Sequence, residues 1–169
     1  GGPMHVSFVP RTNRLCDTFN TAMGALGFPP CDDFNVPEPE GYGFRQGTID
    51  RGRRVSTVSA YLRPVMHRQN LTVMTSTLVR RVLIEDGKAV AVELQTGDSV
   101  RVLRASREIV LSAGAFHSPH ILLHSGIGDS TELSAAGIEP VHHLPGVGAN
   151  LQDHLEVYVQ HSCSQPVSL

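Results

Sequence analysis

Residues 77–105 restrict the fold more than any other part of the chain. They read TLVRRVLIED, then a Gly87-Lys88 turn, AVAVELQT, a Gly97-Asp98 turn, and SVRVLRA. β-Branched and aliphatic residues alternate with polar ones in each run, and a glycine-bearing dipeptide separates the runs. That pattern predicts a three-stranded antiparallel meander, because alternation puts one face of each strand toward a core and glycine supplies the tight turn. LTVMTS (71–76), directly before it, reads as one more strand.

The next segment changes character. EIVL (108–111) is a short continuous apolar run, the pattern of a strand covered on both faces in a parallel sheet. Ser112-Ala113-Gly114-Ala115 follows, and then a helix predicted over 118–124, with Ser118 as N-cap and Pro119 at its first position. Strand, small-residue turn, helix is the order by which α/β proteins bring backbone close to a nucleotide cofactor. The predicted fold class is therefore α/β, with an α+β character contributed by the meander.

Upstream, residues 13–27 carry Leu15, Phe19, Ala22, Met23 and Leu26 at helical spacing, with Gly27 as a stop. Residues 29–54 are rich in Pro, Gly, Asp and Asn and read as a long loop. Ser56 is placed to cap a short helix that ends before Pro64.

Composition excludes several functions. With 169 residues and 40% hydrophobic content the chain is globular, and a net charge of -2 gives no footprint for nucleic acid; Arg51, Arg53 and Arg54 are its one basic cluster. No apolar run approaches the roughly 20 residues that span a bilayer. Cys16, Cys31 and Cys163 are odd in number and fit no disulfide framework, which points to free thiols in a reducing, cytoplasmic setting. Membrane association is left open for a longer parent protein.

Histidine is the chemically richest residue type here. His117, His120 and His124 fall at i, i+3 and i+7, near enough to one helix face to suggest imidazole ligands for zinc. No acidic residue lies in that helix to orient them, so packed or solvated histidines are expected and no metal is assigned. His142 and His143 are neighbours in a strand-like stretch and point to opposite faces. His154 follows Asp153, and a structural hydrogen-bonded pair is expected there rather than acid–base chemistry. There is no GxSxG nucleophile elbow and no GxGxxG fingerprint.

GAFHSPHILLHSGIG (114–128) closely resembles the second signature of the glucose-methanol-choline oxidoreductases. The matching positions are Gly114, Ser118, Pro119, Leu122, Leu123, Ser125, Gly126, Ile127 and Gly128. GRRVSTVSAYL (52–62), NLTV (70–73) and PGVGANLQDH (145–154) are similar to further family segments, in the family's order. The tail DHLEVYVQHSCSQPVSL is similar to the choline-oxidising branch.

That resemblance implies an FAD-binding domain interleaved with a substrate domain, and oxidation of an alcohol by hydride transfer to flavin. It implies residues 1–68 as a substrate-domain portion with the loop excursion, 69–154 as a portion of the three-layer FAD-binding domain, and 155–169 as the start of a substrate-domain strand. A choline-like small alcohol is the implied substrate, and the electron acceptor is left open. Val79 matches the family position whose backbone meets adenine, while Ser112, Ala113 and Gly114 match the strand end beside the cofactor. The family's pyrophosphate loop and catalytic histidine segment have no counterpart here, so the chain reads as roughly the middle third of such an enzyme, with no catalytic residue of its own. A non-catalytic binding or assembly module on the same scaffold is the alternative. Alone, the piece is expected to hold FAD weakly and to cover its apolar surfaces by self-association or a retained partner segment.

Overall fold

The computed structural model describes residues 2–9, 13–160, 162–164 and 166–167. The chain divides into two compact units, Gly1–Thr72 with Tyr158–Leu169, and Val73–Val157.

The first unit opens with β1 (Ser7–Phe8) and α1 (Arg14–Ala25). Asn13 starts the helix by accepting from the Leu15 N–H at 2.8 Å, and Gly27 ends it at φ +86°. The helix is where its periodicity predicts, but it buries no residue; Phe19 and Leu26 are exposed.

The Pro/Gly-rich stretch is not structureless. It contains β2 (Gln46–Gly47), which pairs antiparallel with β1, and β3 (Ile49–Asp50) with β4 (Arg53–Arg54), an antiparallel hairpin. Arg51 and Gly52 form its turn at φ +48° and +73°, the left-handed pair of a type I′ turn, whose twist matches that of the strands.

Ser56 caps as predicted. Its Oγ accepts from the Ser59 N–H at 3.2 Å, and the Ser59 Oγ accepts in return from the Ser56 N–H at 2.9 Å. The helix that follows is not an α-helix ending before Pro64. It is a single π-type turn, Val58–Leu62, that runs straight into a 3₁₀ turn, Arg63–Val65, with Pro64 inside. Proline can stand there because the widened turn and the tighter one after it replace the regular ladder to which its missing N–H would belong.

The second unit is built on the meander: β5 (Leu78–Glu85), β6 (Lys88–Thr96) and β7 (Ser99–Arg104), in sheet order β5-β6-β7. The first turn lies on Asp86-Gly87 rather than Gly87-Lys88. Both residues have positive φ (+50° and +74°), which aspartate tolerates better than lysine, and Lys88 becomes a strand residue paired with Glu85. The second turn falls on Gly97-Asp98 as expected, between the pair Thr96 and Ser99.

Two expected strands are absent. LTVMTS forms no ladder, and Ser76 at φ +52° breaks the run before β5 begins. EIVL is likewise unpaired, with Val110 74% exposed. A strand covered on both faces needs hydrogen-bonded neighbours, and none of the described residues supplies them.

α2 (Gly114–His124) packs on β5, followed by β8 (Ile127–Gly128), α3 (Ser130–Ala135) and β9 (His142–His143), which lies parallel to β8. The buried residues are Val82, Ala91 and Leu94 of the sheet, Ile121 and Ser125 at α2, Gly126 and Gly128 after it, and Leu133 of α3. Ser125 joins the layers: its Oγ accepts from the Val82 N–H at 2.8 Å and donates to the Ile121 carbonyl at 2.6 Å.

Gly126, next in line, has φ +76°, and a Cβ there would come within 2.5 Å of the Glu139 carbonyl oxygen. At Gly128 a Cβ would meet Leu123 Cδ2 at 2.6 Å. The Ser-Gly-Ile-Gly motif is therefore a packing corner. Its serine closes the edge of β5, and its glycines let the chain return against α2 and the 139–141 segment.

Ser125→Ala is expected to leave the buried Val82 N–H without a partner and to destabilise the protein by about 1–3 kcal/mol. Denaturant unfolding measures this, together with faster amide exchange at Val82.

Asp129 caps α3 by accepting from Thr131 and Glu132 N–H groups at 2.9 and 3.1 Å. The Glu132 and Thr131 amides hold its carboxyl below the usual carboxylate range, assisted by His143. A carboxyl depressed on folding stabilises above its unfolded pKa, and that contribution disappears as pH falls through its folded value. Unfolding midpoints measured from neutral to acid pH are expected to fall less steeply in Asp129→Asn than in the parent.

Candidate cofactor-binding site

α2 begins at Gly114, four residues earlier than the Ser-Pro pair predicts. Ser118 is not its N-cap: the Ser118 Oγ reaches back and accepts from the Ala113 N–H at 2.9 Å. Pro119 lies inside the helix, with no N–H to return to the Ala115 carbonyl. The local capping signal loses to Gly114, whose φ of +86° turns the chain directly from the small-residue segment into the helix.

This entry has three properties that suit a polar ligand. Ser112, Ala113 and Gly114 are exposed, no atom beyond the adjoining residues and the helix's own backbone lies within 4 Å of where a Gly114 Cβ would stand, and the N-cap residue Ala113 provides no side-chain cap. The first N–H groups of an uncapped helix are donors in search of an acceptor, with the positive end of the helix dipole behind them.

Directly beyond lies a cavity of about 580 Å³. One wall is α2, through Ala115, Phe116, Pro119, His120 and Leu123; the other is the glycine-bearing segment 148–152. Asn150 at φ +57° and Gly148 at φ +80° bend that segment along the helix, and a Cβ at Gly148 would lie 3.5 Å from Leu123. The fold thus brings together parts of two separate family-like stretches, 114–128 and 145–154. The volume is in the range of small-molecule sites.

Of the four residues singled out from sequence, Ser112, Ala113 and Gly114 directly precede Ala115 of the cavity wall in the chain but are not themselves among its lining residues. Val79 does not line it. Val79 is half-buried on β5, paired with Leu94, with a register shift between it and Arg81. Sequence reasoning missed Phe116, Asn150 and Gln152; the available signal was the PGVGANLQDH stretch, to which no site role was given.

The histidines separate. His120 and His124 meet Nε2 to Nε2 at 3.1 Å with rings edge-to-face, so one ring donates and the other accepts, and His117 is outside the pair. His143 Nδ1 accepts from the Ser130 backbone N–H at 3.2 Å and lies 3.1 Å from the Ser130 Oγ. Asp153 accepts from the His154 backbone N–H at 2.8 Å, so the recorded Asp–His contact involves main chain rather than imidazole. Among the described residues no group of three or more His, Cys, Asp or Glu side chains is placed to hold a metal ion. Cys16, Cys31 and Cys163 are free thiols.

A meander buttressed by a helix whose uncapped start opens beside a cavity defines a portion of an α/β cofactor-binding protein. More particularly, residues 1–156 match the family described as GMC oxidoreductase, and the chain belongs to that family. It is 47% identical over 157 residues to the oxygen-dependent choline dehydrogenase of Photobacterium profundum, covering 93% of this chain and 28% of that protein. It is 45% identical over 168 residues to the mitochondrial choline dehydrogenase of Mus musculus, covering 99% of this chain and 28% of that one. The chain therefore spans a little over a quarter of the length of these relatives.

Solved structures agree in fold. Pyridoxine 4-oxidase from Mesorbium loti superposes with a TM-score of 0.79 at 33% identity, covering 86% of this chain and 29% of the other. An FAD-dependent oxidoreductase from Chaetomium thermophilum gives 0.78 at 29% identity, covering 86% and 26%. No helix among the described residues is long and apolar enough to cross a membrane.

Elemental analysis of protein freed of affinity-column metal is expected to find no stoichiometric zinc or nickel. Metal that disappears on replacing His117, His120 and His124 would reverse this assignment.

Proposed function

We propose that the protein is an FAD-dependent alcohol oxidoreductase that acts on choline or a similar small alcohol, with this chain forming part of its flavin-binding domain. The observation that carries the reading is the open, uncapped start of α2 at Gly114, beside a cavity walled by two family-like segments. The substrate class follows the relatives named choline dehydrogenase.

The residues present fit a flavin dinucleotide. At Ser112-Ala113-Gly114 small side chains let backbone approach the cofactor, and the unclaimed N–H groups of the first helical turn offer donors to its polar oxygens. Val79 presents strand backbone to the adenine, a contact that depends on main chain more than on the valine side chain. When bound, the flavin supplies a two-electron acceptor for hydride from the carbinol carbon.

The chain's own part is to bind and orient. Phe116 and Leu123 give the cavity apolar surface from which water is displaced, and the 148–152 segment fixes its width. The His120–His124 pair satisfies itself within α2, and no histidine of this chain is assigned the proton transfer.

The test uses the full-length protein containing this chain. It is expected to purify with flavin absorbance and to reduce an artificial dye when given choline; a folded protein with neither flavin nor choline-dependent reduction would refute the proposal. In the same protein, Gly114→Val is expected to lower flavin retention severalfold while circular dichroism stays that of a folded protein, because a β-branched residue resists positive φ and fills the open space. Normal flavin content in folded Gly114→Val would refute the placement of the cofactor at this turn.

A further inference from the structure

Three arginines of the meander have carboxylate partners: Arg80 and Arg81 reach Glu93 at 3.4 and 3.0 Å, and Arg104 forms a paired contact with Glu85 at 2.7 and 3.2 Å. The arginines of the β3–β4 hairpin have none so close. Arg51, Arg53, Arg54 and Arg63 line a cleft of about 590 Å³ that contains a single carboxylate, Asp50. Asp50 lies 3.9 Å from the Arg51 Nε, at the limit of an ion pair, and the Arg51 side chain is 93% exposed. Among the described residues no ion pair is formed by Arg53, Arg54 or Arg63.

The frame that carries these cations is fixed. The type I′ turn at Arg51-Gly52 sets the hairpin, and the Val55 N–H donates to the Thr48 carbonyl at 2.7 Å to extend it. The reciprocal Ser56–Ser59 cap then holds the following turn, from which Arg63 projects, against the hairpin's exit. Both serine hydroxyls are used in that cap, so the cleft's free donors are guanidinium groups.

We propose that this cleft binds a phosphate group. Four exposed guanidinium groups line one cleft beside a single carboxylate, an excess of positive charge that favours an anion there, and a phosphate's several acceptor oxygens can engage more than one planar fork at once. A carboxylate offers two oxygens and would leave most of the cations unserved. A nucleic acid is disfavoured, because the cationic surface is one short hairpin on a chain of net charge -2 with no basic stripe leading from it. The phosphate can belong to a free phosphorylated small molecule or to a lipid headgroup; the chemistry of recognition is the same.

The experiment uses full-length, flavin-loaded protein and titrates inorganic pyrophosphate by calorimetry. Saturable, salt-sensitive binding is expected. It should weaken about tenfold or more in the double variant Arg53→Gln/Arg54→Gln, while Arg107→Gln, outside the cleft, binds as the parent does. Arg63→Lys keeps the charge but loses the fork, and should weaken binding severalfold; it provides the reading if the double variant does not fold. Co-sedimentation with phosphatidylcholine vesicles, with and without phosphatidic acid, distinguishes the sources. Retention only on the acidic vesicles, displaced by pyrophosphate, assigns a headgroup; pyrophosphate binding without retention assigns a free ligand. Absence of saturable pyrophosphate binding, or equal binding by parent and folded Arg variants, would overturn the proposal.

Discussion

One hydroxyl ties the second unit together. Ser125 sits at the end of α2, accepts from the Val82 N–H and donates to the Ile121 carbonyl, and is itself buried. β5 is an edge strand, and its outward N–H at Val82 would be an unpaired donor in the core without this partner. A backbone donor is thus satisfied by a side chain instead of by another strand, which lets a helix lie where a strand would otherwise be required. The orientation of α2, and with it the position of Gly114 and the cavity wall, depends on that substitution.

The glycines beside Ser125 serve the same corner. Gly126 allows the 139–141 backbone to pass at a distance no Cβ would permit, and its carbonyl accepts from the Val141 N–H at 2.8 Å. Gly128 gives Leu123 room, and its carbonyl accepts from the Leu144 N–H at 2.8 Å. Parallel pairing of β8 with β9 follows, and residues 144–152 are returned along α2 to close the cavity. A motif recognisable as a family signature thus acts at a distance from the turn at Gly114, by fixing the helix that begins there.

How much of this was legible in the sequence depended on whether the information was local. The meander was, because alternation and two glycine turns act within a few residues; even there the first turn moved by one position, since the type I′ geometry needs positive φ at Asp86 as well as Gly87. α1 and the Ser56 cap were also legible. LTVMTS and EIVL have strand composition, but a strand exists only with a partner, and composition carries no record of which segment that is. The start of α2 was misread because Ser118-Pro119 imitates a helix entry while the glycine conformation at 114 sets the real one. Small residues at 112–114 were visible as a candidate site, whereas Phe116, Asn150 and Gln152 became neighbours through folding alone.

The Ser125–Val82 bond joins residues 43 apart in the chain, whereas each hairpin of the meander closes over two residues. Contacts that close short loops cost the least chain entropy, so the hairpins are the inexpensive part of this unit and the docking of α2 on β5 is the long-range part. With α2 displaced, the outer edge of β5 would be an open template for another strand, a hazard that folded proteins normally conceal. The serine hydroxyl is therefore a guard on that edge as well as a strut.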